Sequence, residues 1–149
     1  MKVSAIYTWV TVLIAIAAWL PPVPSYAHAL DPQLDCRSNA HAFIAPLLKN
    51  QYIDPHPVRV EANSVNAFRP THDSDITAFG FRVYAVIGYE QDDELFKKGA
   101  GQALAGPLYG AVLSAPSEAV ESRVREAGSN ATVRTVIPML LTAVVCSAS

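Results

Sequence analysis

The sequence predicts a small α+β domain: a mainly antiparallel sheet of about four to five strands with two helices packed on one face, in the order α-β-β-β-α-β. Three observations predict it. Apolar residues recur at helical spacing in two separate stretches, 36–50 and 117–127. Between and after them, apolar and polar residues alternate with the period of two that a half-buried strand requires. The chain left after removal of a predicted N-terminal leader is of single-domain size.

The leader comes first. Lys2 precedes a mostly apolar run from Ile6 to Leu20, which Pro21, Pro22 and Pro24 end. Ala27-His28-Ala29 then supplies the small residues at −3 and −1 that a signal peptidase reads. Residues 1–29 are therefore expected to be a cleaved signal peptide, and residues 30–149 a single α+β domain. The apolar run falls short of the roughly 20 residues of a spanning helix, so membrane contact is expected only through this peptide before cleavage. Gln33-Leu34-Asp35 ahead of Cys36 is not the small-residue pattern of a lipidated cysteine. The expected location is periplasmic or secreted.

That compartment decides how Cys36 and Cys146 are read. In an oxidising environment an isolated pair predicts a disulfide. A reactive thiol would need a base and an orienting acid, and the sequence places neither beside either cysteine.

The elements follow in order. Apolar positions 40, 43, 44, 47 and 48 define the first helix, with Asp35 as its expected N-cap, Asn50 as its stop, and Pro46 predicting a kink or two pieces. Asp54-Pro55-His56-Pro57 is turn-like, because residues before proline avoid the α region. Val58, Val60 and Ala62 alternate with Arg59, Glu61 and Asn63 as a half-exposed strand. Residues 69–75 form a polar loop. Ile76 to Tyr89 reads as one long central strand, with Gly80 and Gly88 as bulges or close approaches. Leu95 to Lys98 predicts a helical turn, and Gly99 to Gly106 a mobile loop. Leu108 to Leu113 is a strand. The second helix opens near Ser117, buries Val120, Val124 and Ala127, and stops at Gly128. Thr132 to Ile137 and Met139 to Val145 are one strand split by Pro138.

Charge narrows the function classes. The whole chain carries a formal charge of −2, and Lys2 is the only charged residue the leader removes, so the remaining domain is slightly more acidic. Nothing clusters the basic residues as nucleic acid or an anionic membrane would require.

Motif tests are equally restrictive. His56, His72, Asp73 and Asp75 are apt metal ligands, yet no tight histidine spacing links them. The calcium-loop pattern stops after Asp73-Ser74-Asp75. Gly101 to Gly106 matches the first spacing of a phosphate loop, but Pro107-Leu108 replaces Lys and Ser/Thr. There is no Gly-x-Ser-x-Gly elbow. Arg82, inside the most apolar strand, must reach an edge, pair with an acid or meet a partner.

No catalytic residue, cofactor or metal is therefore expected. The reading is a non-enzymatic exported protein that binds a protein or envelope partner, in the manner of an inhibitor, immunity or envelope-accessory protein. The expected contact residues are Arg69, His72, Asp73 and Asp75 of one loop, with Phe96 and Lys97 of another. The alternative is a small enzyme or small-molecule binder, its site assembled around His56, His72 and nearby carboxylates.

Overall fold

The computed structural model describes residue 21 and residues 27–147. Most of the expected signal peptide, and with it the fate of the apolar run, lies outside the described residues. Among the described residues no helix is long and apolar enough to cross a membrane.

The fold is α+β, with two helices and eight strands among the described residues, more strands than the alternation predicts. The strands are β1 (His28–Ala29), β2 (Arg59–Val60), β3 (Asn66–Phe68), β4 (Ile76–Ala78), β5 (Phe81–Tyr89), β6 (Leu108–Leu113), β7 (Thr132–Ile137) and β8 (Leu141–Ser147). The helices are α1 (Ala40–Lys49) and α2 (Ser117–Glu126), and a 3-10 turn (Asp31–Asp35) precedes α1. The sheet order is β1-β4-β5-β6-β8-β7, with β3 also pairing β5 and carrying β2 at its far edge. Among the described residues β1 and β4 run parallel and the other pairings are antiparallel.

Asn39, not Asp35, caps α1: its side-chain oxygen accepts the Ala42 N–H at 2.8 Å. The helix then runs unbroken through Pro46 to Asn50, with Ala40, Phe43, Ile44 and Leu47 buried.

The predicted long strand is a hairpin. Phe79 and Gly80 both take positive φ, 52° and 83°, and Ala78 pairs with Phe81 across them. Two left-handed residues make the tight turn whose twist suits antiparallel strands, and glycine adopts that conformation without strain. A β-bulge then sits at Tyr84, where the register with β6 shifts. The two irregularities each reverse the inward-outward parity, so unbroken alternation fails as a guide here. In consequence Val83 and Val86 both face the core, at 3% and 0% exposure, and Tyr84 turns outward.

The core lies between one sheet face and the helices. Phe68, Val86, Ala111, Leu113 and Val144 supply the sheet side, and the ring of Phe43 on α1 meets that of Tyr109 on β6 at 5.0 Å. Val120 and Val124 of α2 join the same core, whereas Ala127 is exposed. Thr142, buried on β8, donates to the Ala115 carbonyl at the entrance to α2. Rather than one split strand, β7 and β8 form a hairpin turning through Pro138, Met139 and Leu140.

Cys36 and Cys146 form the expected disulfide, with Cα atoms 5.0 Å apart and 110 residues apart in sequence. Beside it Tyr109, opposite Cys146 in the register, accepts the Ser38 N–H on its hydroxyl at 3.1 Å. Burial pushes the Tyr109 phenol above its ordinary pKa, the Ser38 bond opposes this, and the charge of Asp35 adds to it. The folded state therefore prefers the neutral phenol. Stability from this preference is complete below the unfolded value near 10 and is lost as pH rises through the folded one. Tyr109→Phe is expected to abolish this alkaline loss while costing about 1 kcal/mol at neutral pH. Urea unfolding of both proteins on either side of about pH 10 checks this, and parallel alkaline losses would refute it.

Candidate functional site

Among the described residues an open cleft of about 400 Å³ lies at one end of the sheet. β5 contributes Arg82 and Tyr84; the loop after β3 contributes Arg69, Thr71, His72 and Ser74; Ser114 closes it from the end of β6. The bulge at Tyr84 presents that ring outward, and the Arg69 guanidinium carbon lies 5.8 Å from its centroid. Such an arrangement orients a cation without neutralising it. Among the described residues neither Arg69 nor Arg82 has a carboxylate within salt-bridge distance. The cleft is thus lined by two arginines without a carboxylate partner, a histidine, Ser114 and an exposed aromatic ring. Chemically it suits a carboxylate or another anion, through the bidentate donors that arginine offers.

Hydrogen bonds hold the loop that carries Arg69 and His72. The Tyr52 carbonyl accepts the Thr71 N–H at 2.9 Å and the Ser74 hydroxyl at 2.7 Å. The Thr71 hydroxyl donates to the Gln51 carbonyl at 2.7 Å. Both hydroxyl donors are therefore spent on backbone carbonyls, and they anchor this loop on the segment that follows α1.

The other expected contact residues scatter. Asp73 lines a shallower neighbouring depression with Asn50, Gln51 and Tyr52. Asp75 is exposed, and its backbone carbonyl accepts the His28 N–H. Phe96 is 7% exposed and packs edge-on against Tyr89, so it belongs to the core rather than to a contact surface. Lys97 is exposed, but its backbone is tied to Asn66. Because Asn66 pairs with Gly88 while Arg69 lies against Tyr84, Lys97 and Arg69 stand towards opposite ends of β5.

His56 does not line the cleft that holds His72; its Nδ1 lies 3.8 Å from Asp54 Oδ1, both side chains being largely exposed. Among the described residues no group of three or more His, Cys, Asp or Glu side chains has metal-holding geometry. A His–Asp pair does form elsewhere, His41 Nδ1 to Asp93 Oδ2 at 2.6 Å, linking α1 to the segment after β5. Asp93 also accepts the Leu95 N–H.

The glycine-containing loop is tethered, contrary to the expected mobility. Gly101 N–H donates to the Ala62 carbonyl, Leu104 N–H to Asn63, and Gly99 N–H to the Ser64 hydroxyl. A Cβ on Gly99 would lie 2.0 Å from the Glu61 carbonyl oxygen, so only glycine permits this approach.

Sequence reasoning singled out Arg69, His72 and Arg82 but missed Thr71, Ser74, Tyr84 and Ser114. It missed a second surface feature too. Val136, Ile137, Met139 and Leu140, around the β7–β8 turn, are 45–77% exposed. The registers Val83 to Leu113 and Leu113 to Thr142 bring this apolar tip to the same end of the sheet as the cleft. The run Val-Ile-Pro-Met-Leu-Leu was visible in the sequence, yet its strand-like composition concealed a turn.

No protein-family model matches the chain, and no curated protein or solved structure matches it significantly.

Proposed function

We propose that this is an exported, non-enzymatic protein that binds a macromolecular partner through an acidic segment docked in the Arg69–Arg82 cleft. One observation carries the reading: among the described residues two arginines, Arg69 and Arg82, line an open cleft and neither has a carboxylate within salt-bridge distance. An arginine without an internal partner keeps its donors for something else, and a carboxylate-bearing chain is the complementary ligand. Tyr84 and the apolar tip at the same sheet end offer contacts to non-polar residues flanking the acid. Aromatic and arginine side chains together are the usual anchors of protein recognition.

The alternative of an enzyme built on His56 and His72 has no supporting geometry, because the two histidines do not share a pocket.

The test is affinity capture from an envelope extract, with the exported chain immobilised through its C-terminus. The double variant Arg69→Ala/Arg82→Ala is expected to weaken recovery of the captured partner by about tenfold or more, close to 1.4 kcal/mol. Wild-type capture is expected to decline with added salt, since the contact is solvent-accessible. Equal capture by both proteins would overturn the cleft assignment. Hydrolytic activity of the wild type, with no partner recovered, would overturn the binding function.

A further inference from the structure

We infer that the exported chain is cut between Ala27 and His28, two residues before the Ala-x-Ala boundary, so that His28 begins the mature protein. The inference rests on the export reading and refines it. Ser25-Tyr26-Ala27 supplies small residues at −3 and −1 just as Ala27-His28-Ala29 does. Both sites carry the small residues a peptidase reads, and a sequence whose folded domain uses residues 28 and 29 is matched to the cut that keeps them. What separates them is the product each leaves.

His28 and Ala29 form β1, paired in parallel with Ile76 and Thr77 of β4. His28 N–H donates to the Asp75 carbonyl and Leu30 N–H to the Thr77 carbonyl, each at 2.8 Å. The His28 ring stacks on Tyr52 with centroids 4.2 Å apart and planes within 9°. Tyr52 is the residue whose carbonyl anchors Thr71 and Ser74 in the cleft loop. A cut after Ala29 would delete β1 and uncover Tyr52 beside that loop.

It would also leave a charged amino terminus on Leu30, which is 1% exposed. There the ammonium would keep the Thr77 carbonyl as acceptor, on a residue whose side chain belongs to the core rather than to a surface strand. With the cut after Ala27, the ammonium falls on half-buried His28. It remains within reach of water and of the Asp75 carbonyl.

Intact mass measurement and N-terminal sequencing of the exported protein, expressed with its full leader, decide the matter. A chain beginning at His28 is the expected result. One beginning at Leu30 overturns this inference and leaves export standing, and one beginning at Met1 overturns both. Two variants give an independent reading. Ala27→Leu is expected to block processing, whereas Ala29→Leu, at an exposed position, is expected to leave the His28 terminus unchanged. The reverse pattern would overturn the inference.

Discussion

With Cys36 and Cys146 both replaced by alanine, the domain is expected to lose about 4 to 5 kcal/mol of stability. The bridge spans 110 residues, and in the chain-entropy treatment a loop of about that length restricts the unfolded chain by close to 4.7 kcal/mol. Typical domains are stable by only about 5 to 15 kcal/mol, so the variant is expected to be marginal. The location adds to this. Cys146 is 2% exposed on the core face of β8, and Cys36 holds a left-handed backbone with φ of 65° at the exit of the 3-10 turn. Urea unfolding of the oxidised protein, the reduced protein and the double alanine variant checks the prediction. The reduced protein and the variant are expected to unfold at similar midpoints, both far below the oxidised protein. A midpoint within about 1 kcal/mol of the oxidised protein would refute an entropic origin.

The second large effect is expected at Asn66, a polar side chain fully buried on β3. Its amide nitrogen donates to the carbonyls of Ser64 and Lys97, both at 2.8 Å, and its oxygen accepts the Lys97 N–H at 2.9 Å. One side chain thus replaces a strand pairing that the segment after β5 does not make. Asn66→Leu keeps the volume but orphans a buried N–H and two carbonyl oxygens. Each unsatisfied buried group costs about 1 to 3 kcal/mol, and with partial relaxation the loss is expected to be about 3 kcal/mol or more. Asn66→Asp is expected to be worse, since it loses both donated bonds and sets a carboxylate against two carbonyl oxygens. Hydrogen exchange localises the effect: Lys97 and Gly99 amides are expected to lose protection before the β5–β6 pairing does. Uniform loss across the sheet would refute a local clamp.

How much of this was legible in the sequence depended on whether periodicity survived. The existence of α1, α2, β6 and the disulfide follows from apolar spacing and cysteine arithmetic, although the α1 cap, its unbroken course through Pro46 and the exposure of Ala127 do not. The hairpin at Phe79-Gly80 and the bulge at Tyr84 reverse parity within six residues, so two strands merged into one. β3 was missed because Asn66 occupies a core position, and a polar residue there contradicts alternation unless its partners are known. For the cleft, Arg69, His72 and Arg82 could be chosen by residue type. Their union with Tyr84 and Ser114 depends on the register of β5 against β6, which no local pattern carries. Phe96 shows the opposite failure: a large apolar residue in a polar loop reads as a contact, and it is a plug for the core.

The position of β8 has a consequence for how the chain is made. It is the last of the described strands, yet it lies between β6 and β7. Until residues 141–147 are available, β7 has no neighbour to pair with and one whole margin of β6 presents bare N–H and C=O groups. Such a margin is a template for pairing with other chains. A chain lacking residues 141–147 cannot close this sheet, because β7 reaches β6 only through β8. Contacts this distant in sequence make folding slow. Because Cys146 lies on this same strand, the bridge to Cys36 also closes only once β8 is in place.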